Sequence, residues 1–374
     1  MANSNAPMLL VLVVAAPVAV AVLLYRLAEF DPASLPEHVL SRSPPIVPPS
    51  HYGRVLELAD RIGEGLLPGP EDFAYDAETG LLYTGCSDGW IRRFHVTDSA
   101  EEKEKAKTQL EIENWAFTGG RPLGLAFGPD KQLIVADGNK GLLRVSRGAT
   151  VEMLTDEAEG LKFRITDGVD VGRDGVIYFT DASYKYSLAE HIADVLEGRP
   201  YGRLMSYDPS INKTRVLARN LYFANGVALS PNQDFLIFCE TVLRRCSKYH
   251  ILGERQGSVE TFIDNLPGFP DNIRYDGQGS FWIGLAMGNT IFWDVLMRYP
   301  IVRKTVWMLG KVVKLPHMQS NGGVMAVNLE GEGIALYSEP GLYMVTCGFK
   351  IRNQLYIGYL ANNYITRLHL NQLA

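Results

Sequence analysis

Six copies of one short pattern run through this chain, and that repetition limits its possible folds more than any other feature. The clearest copy is residues 223–241, FANGVALSPNQDFLIFCET: a strand, a Ser-Pro-Asn turn and a second, strongly apolar strand. Related stretches begin at Pro70 (PEDFAYDAETGLLYTGC), Arg121 (RPLGLAFGPDKQLIVADG), Ile165 (ITDGVDVGRDGVIYFTDAS), Phe269 (FPDNIRYDGQGSFWIG) and Val345 (VTCGFKIRNQLYIGYL). The starts fall roughly 45 to 75 residues apart, a spacing that signals radial or stacked repeats. Each copy pairs a short strand opened by a polar residue with a strand rich in Tyr, Phe, Ile and Leu. The expected fold is therefore all-β, a six-bladed β-propeller over residues 51–374. Residues 52–60 (YGRVLELAD) read as a strand ahead of the first repeat, while the last repeat has only three strands of its own. An early strand that completes the last blade closes the ring and removes two exposed edges.

Residues 1–25 carry no charged side chain, and LLVLVVAAPVAVAVLL (residues 9–24) is just long enough to span a bilayer, which needs ~20 residues. A cleaved signal peptide has a basic start and a shorter apolar core. Residues 1–28 therefore read as a signal anchor in preference to a signal peptide. Arg26 is the only basic residue nearby, so flanking charge does not set the orientation. Residues 29–50 include SRSPPIVPPS and read as a Pro-rich extended linker. The sequon Asn212-Lys213-Thr214 lies in a polar turn where a glycan would fit, which agrees with a luminal domain in the secretory pathway: endoplasmic reticulum membrane, vacuole or cell surface. With 36 basic and 42 acidic residues and no basic stripe, nucleic acid is not an expected partner. The four cysteines are even in number but fit neither a zinc pattern nor a dense disulfide framework, and their spacing does not select a pair.

Three stretches interrupt the repeats. Residues 100–107 (AEEKEKAK) read as a solvated loop. Residues 187–198 space Leu188, Ile192 and Val195 as a helix does. Residues 291–314 mix Phe292, Trp293, Leu296, Met297, Val306 and Trp307 with Arg298, Arg303, Lys304 and Lys311, as one or two amphipathic helices do. They form either a cap packed on the propeller, a lid over a pocket, or a patch dipping into a membrane.

Inner strands of a propeller start near one mouth of the central channel, so residues at those starts converge. There the chain places Glu71, Thr166-Asp167, Asn225 and Asp271-Asn272, which are carboxylates and amides with no thiolate or imidazole. Clustered hard oxygens suit Ca²⁺, which takes 6–8 of them at ~2.3–2.6 Å. Without a cation, Glu71, Asp167 and Asp271 would repel one another strongly. The competing assignment is that each acid caps its own turn.

GPEDFAYD, FANGVALSPNQ and PDNIRYDGQGSFWIG resemble the calcium-binding motifs of the six-bladed propellers typified by paraoxonase, diisopropylfluorophosphatase and gluconolactonase. GRPLGLAFG, ITDGVDVGRDGVIYFTDAS and GRLMSYDP with its nearby sequon bring the chain nearer to the strictosidine synthase-like proteins and the adipocyte plasma membrane-associated protein, over residues 52–370. The resemblance implies metal ligands at Glu71, at Asn225 and at Asp271 with Asn272. In the third blade the hydrolases carry Asn-Asp, and Thr166-Asp167 departs from that, leaving either Thr166 or Asp167 to coordinate. Two further departures bear on chemistry. The second-blade His of the lactonases is missing from Arg121-Pro122-Leu123-Gly124. The last-blade Glu of strictosidine synthase is missing from YMVTCGF (residues 343–349), so a Pictet–Spengler condensation is not expected.

Gly85-Cys86-Ser87-Asp88-Gly89 matches G-x-S-x-G, but a strand follows it where a nucleophile elbow needs a helix. No two of the seven histidines form a zinc pair, and His317, after the insert, reads as a surface or packing residue in preference to one that approaches the pocket. The sequence leaves two functions open. One is a calcium-dependent hydrolase of small apolar esters or lactones, with Asp271 as nucleophile or base and Phe223, Phe269, Trp282 and the insert shaping the pocket. The other is a non-catalytic propeller in which Ca²⁺ is structural and the open face binds a partner or lipid.

Overall fold

A computed structural model describes residues 6–27, 29–41, 44–53, 55, 59–96, 111–313 and 321–372, with side chains of the first helix described over 15–25. Six antiparallel sheets stand around a central axis. Their inner strands are Phe73–Asp76, Pro122–Phe127, Thr166–Val171, Ala224–Leu229, Gly268–Tyr275 and Val345–Ile351. These are the six repeats, in order, and each opens one blade. Ala59–Ile62 pairs antiparallel with Ile365–His369 and supplies the fourth strand of blade six. The expected closure therefore holds. A second closing strand, Ser50–Tyr52, lies parallel to Gly333–Ser338 as a fifth strand of blade five.

The apolar second strands form the core between blades. Ile237 and Cys239 of blade four, for instance, pack with Phe281 and Ile283 of blade five, and all four are fully buried. Burying a side chain of this size contributes roughly 1.5–3 kcal/mol. Acids that end second strands tie each blade to its own inner strand. Asp137 Oδ1 accepts the Arg121 N–H at 2.9 Å, Asp181 Oδ1 accepts the Ile165 N–H at 3.1 Å, and Glu240 Oε1 accepts the Tyr222 N–H at 3.0 Å. In blades two, three and four, then, the acid that ends the second strand has structural work. Cys239 and Cys246 face each other across neighbouring strands and form a disulfide, while Cys86 and Cys347 are buried thiols.

Among the described residues five α-helices decorate this frame: α1 (Ala6–Leu27), α2 (Glu37–Leu40), α3 (His191–Glu197), α4 (Ile291–Arg298) and α5 (Pro300–Gly310). Among the described residues no helix is long and apolar enough to cross a membrane; the anchor expected over residues 1–28 falls largely outside the described side chains. Both helical inserts leave from the turn between second and third strands, in blades three and five, and so cover the same end of the channel. Residues 29–50 are not a free linker. Phe30 and Leu35 are buried, the Asp31 N–H donates to Glu197 Oε1 at 2.9 Å, and Arg298 donates to the Leu40 carbonyl at 2.6 Å. Proline-rich composition gave no sign of this packing. The charge run at 100–107 and His317 lie outside the described residues.

Candidate metal centre and cavity

The inner strands are irregular at their starts, and that irregularity builds the site. Register shifts occur between Pro122 and Leu125, Thr166 and Val169, Ala224 and Val227, Pro270 and Ile273, and Val345 and Gly348. A bulge frees residues from the ladder and re-aims their side chains. Asp167, Asn225 and Asp271 all sit inside these bulges. Neighbouring inner strands also approach closely: a Cβ at Gly168 would lie 2.7 Å from the Asn225 carbonyl oxygen, and one at Gly226 would lie 2.6 Å from Asn272 Cα. Only glycine permits this, which explains TDGVDV and ANGVAL in the repeats. Thr180 Oγ1 locks the arrangement by donating to the Asn225 carbonyl at 2.6 Å, and Thr346 Oγ1 donates to the Glu71 carbonyl at 2.5 Å.

One carboxylate oxygen from each of Glu71, Asp167 and Asp271 lies within 4.8 Å of the others. Two oxygens bound on opposite sides of one calcium ion stand about 4.8 Å apart, so the three lie on the scale of a single ion's coordination shell. Glu71 and Asp167 are buried and Asp271 is half-buried. Burial raises the Glu71 carboxyl well above the ordinary carboxylate range, and Asp72, Asp167 and Asp271 raise it further. Burial, then Asp167, does the same to Asp271, against a hydrogen bond from Asn225. Asp167 is pushed up to about 7, chiefly by burial. Glu71 Oε2, Asn225 Oδ1 and Thr166 Oγ1 are buried and meet no hydrogen-bond partner. Buried polar atoms are almost always paired, so orphan oxygens beside mutually repelling carboxylates fit a cation. The all-oxygen donor set is of the kind that holds Mg²⁺, Ca²⁺ or Mn²⁺.

Glu71, Asp167, Asn225 and Asp271 are thus brought together as expected. Asn272 is placed differently: its amide nitrogen donates to Glu71 Oε1 at 2.7 Å, so it orients a ligand and turns a hydrogen, not an oxygen, toward the cluster. Trp282 is not at the pocket. It lies on the second strand of blade five, buried between blades, stacked on Tyr337 and donating to Asp276 Oδ2 at 3.1 Å. Asn212 is exposed in a third-to-fourth strand turn, at the opposite end from the acids, and accepts from the Tyr207 hydroxyl at 3.0 Å.

The acids share a cavity of about 80 Å³ with Phe223, Phe269, Trp293, Met287, Leu123 and Ile192, giving it apolar walls. Phe223 and Met344 stand just before the inner strands of blades four and six, with φ of 55° and 51°. Backbone held there by non-glycine residues costs on the order of 1–3 kcal/mol and tends to cluster at functional sites. Trp293 of α4 meets Phe269 edge-on at 5.2 Å and takes the place anticipated for Trp282. His191, at the start of α3, also lines the cavity; its Nδ1 contacts the Leu188 carbonyl at 2.8 Å and its Nε2 has no partner. The sequence pattern marked Leu188, Ile192 and Val195 as one helix face but gave no sign that His191 would reach the channel. Arg121, ahead of the blade-two inner strand, is buried, with its guanidinium directed at the Gly85 and Leu360 carbonyls.

Fold and site define a six-bladed propeller with an acidic centre at one mouth of its channel. The strictosidine synthase family model matches residues 167–254, and the model for the strictosidine synthase-like N-terminal region matches residues 54–94. The chain is 49% identical over 356 residues to the Arabidopsis thaliana protein strictosidine synthase-like 4, covering 95% of this chain and 93% of that one. It is 30% identical to the adipocyte plasma membrane-associated protein of Rattus norvegicus, over 85% of this chain and 88% of the relative. It belongs to the strictosidine synthase-like family. Similar solved structures include a gluconolactonase from Xanthomonas campestris (TM-score 0.58, 14% identity, 87% of this chain and 97% of that one) and a regucalcin from Agrobacterium tumefaciens described as a calcium-binding protein (TM-score 0.58, 15% identity, 85% and 95%).

Proposed function

We propose that this protein is a calcium-dependent hydrolase of small apolar esters or lactones. The observation that carries the reading is the set of three carboxylates within 4.8 Å, with orphan oxygens on Glu71 and Asn225, in the wall of an apolar cavity. Glu71, Asp167, Asn225 and Asp271 would hold the ion, and Asn272 would fix the direction of Glu71. The bound ion would supply Lewis acidity toward a carbonyl oxygen. Phe223, Phe269 and Trp293 exclude water and orient an apolar acyl group. Asp271 is the least buried of the three acids and is the candidate nucleophile or base. The names of the gluconolactonase and the calcium-binding regucalcin support both halves of the reading. Condensation of the strictosidine type lacks its acid, since blade six brings Met344, Thr346 and Leu360 to the cavity and none of these accepts a proton from an amine.

A second reading is a non-catalytic propeller with structural calcium, and the observation in its favour is that blade two brings no imidazole to the cavity, with Arg121 committed to the Gly85 and Leu360 backbone carbonyls. We place the propeller in the lumen of the secretory pathway, with α1 as its anchor; the apolar sequence of α1 and the name of the adipocyte relative support this. The deciding experiment measures phenyl acetate and δ-valerolactone hydrolysis by the full chain, with calcium and after chelation. The hydrolase reading expects turnover that chelation abolishes, calcium restores and Asp271→Asn removes. Bound calcium with no turnover on either substrate would favour the second reading.

A further inference from the structure

The two helices inserted in blade five are apolar on both sides. Trp293, Leu296 and Met297 face inward and are buried against the channel end. The outward residues are apolar as well: Ile291 is 84% exposed, Ile301 64% and Val312, just after α5, 85%, and Phe292, Val295 and Leu309 are also exposed. Large apolar side chains this exposed, with Asp294, Arg298, Thr305 and Lys311 between them, form a patch of the kind that meets a partner or a membrane. The same stretch, residues 291–314, holds five basic residues and one acid in a chain whose net charge is −6; Arg303 and Lys304 are buried, while Arg298 and Lys311 are exposed, as is Asp294. Apolar side chains interleaved with lysine and arginine are the composition of a helix lying in a membrane interface.

Position points the same way. Lys304 of α5 sets its ammonium 4.6 Å from the centre of the Tyr25 ring at the end of α1, and Trp307 stacks on Phe30 at 5.2 Å. These contacts bring α5 against the C-terminal end of the long apolar helix, along which Val18, Val20, Leu23 and Leu24 are exposed. A bilayer that holds α1 reaches α5 without any change in the fold. We propose that α4 and α5 lie in the headgroup–acyl boundary of an anionic phospholipid bilayer, as a second membrane contact beside α1. The cavity then sits next to the lipid, because Trp293 of α4 is one of its walls.

This inference rests on the anchor reading of α1, and labels at three sites separate the two. Single cysteines at Val20, Val312 and Leu252 of the full chain are labelled with an environment-sensitive dye. The native thiols Cys86 and Cys347 are buried and the other pair is bonded, so labelling is selective. Leu252 is exposed in a third-to-fourth strand turn, at the opposite end of the propeller. The chain is reconstituted in phosphatidylcholine vesicles with and without phosphatidylserine. The Val312→Cys label should be quenched by lipid-borne nitroxide, be several-fold less accessible to aqueous iodide than the Leu252→Cys label, and be better protected when phosphatidylserine is present. A Val312→Cys label as accessible as the Leu252→Cys label, with Val20→Cys quenched by lipid, leaves the anchor standing and overturns the inference. Water-exposed labels at all three sites overturn both. Energy transfer between Val312→Cys labels on two copies, without lipid quenching, marks a protein–protein face and also overturns the inference.

Discussion

Replacing Asp167 with asparagine should stabilise the metal-free protein, a reversal of the usual cost of altering a buried residue. In the folded chain burial lifts the Asp167 carboxyl from 3.8 to about 7. Below pH 3.8 the folded and unfolded states are both protonated and the group is neutral in its effect. Between 3.8 and about 7 the unfolded chain releases a proton that the folded chain keeps, so stability falls as pH rises. Above about 7 the loss is complete. Three units of displacement correspond to about 4 kcal/mol, an upper figure because relaxation and water entry reduce it. Asparagine has no such penalty, and its introduction also relieves Asp271, whose carboxyl Asp167 pushes upward. In a domain of this size 1 kcal/mol is worth about 2 °C, so Asp167→Asn should raise Tm by up to about 8 °C at pH 8 in chelator. At low pH the two proteins should melt together. Saturating calcium should reverse the order, because wild type gains the larger binding stabilisation. The assay is thermal unfolding of both proteins, with chelator and with calcium, across pH. An Asp167→Asn protein that melts below wild type in chelator at pH 8 would refute the repulsion argument.

Asn272→Ala should weaken calcium binding by about 10–100-fold while leaving the fold intact, since it removes the donor that orients Glu71; a calcium titration reads this. Arg274 is buried on the axis, bonded to Asp72 of blade one and to the Leu125 and Val169 carbonyls of blades two and three, at 2.9 and 3.0 Å. Arg274→Met strands the Asp72 charge and should cost about 3–5 kcal/mol in urea unfolding, with Asp72→Asn added on top recovering part of it. Replacing both Cys239 and Cys246 by serine opens a short loop with a sequence separation of 7 and should cost about 2–3 kcal/mol, measured by the same unfolding curves.

The repeats were legible because each blade is a local hairpin whose turn residues and apolar run announce themselves, and because closure has one physical motive, the removal of edges. Glu71, Asp167, Asn225 and Asp271 were legible for the same reason: one register in a radial repeat points at one place. What could not be read depended on contacts between distant segments. Trp282 follows the apolar alternation of a strand, and nothing local says that its face meets Tyr337 of the same blade and not the channel. Trp293 and His191 reach the cavity from helices whose docking is set by other blades. Phe30 and Leu35 find burial only because α3 and α5 create a surface for them, and a proline-rich stretch carries no trace of that. The bulges, too, leave no mark beyond the glycines that accompany them.

The claim on which the rest depends is that Glu71, Asp167, Asn225 and Asp271 hold one calcium ion. Calorimetric titration of the chelated full chain with Ca²⁺, for wild type and Glu71→Gln, tests it most directly. The structure predicts one ion per chain for wild type, with protons released as the raised carboxyls ionise, and binding lost or strongly weakened in Glu71→Gln. Unchanged binding in Glu71→Gln, or no calcium binding by folded wild type, would contradict it.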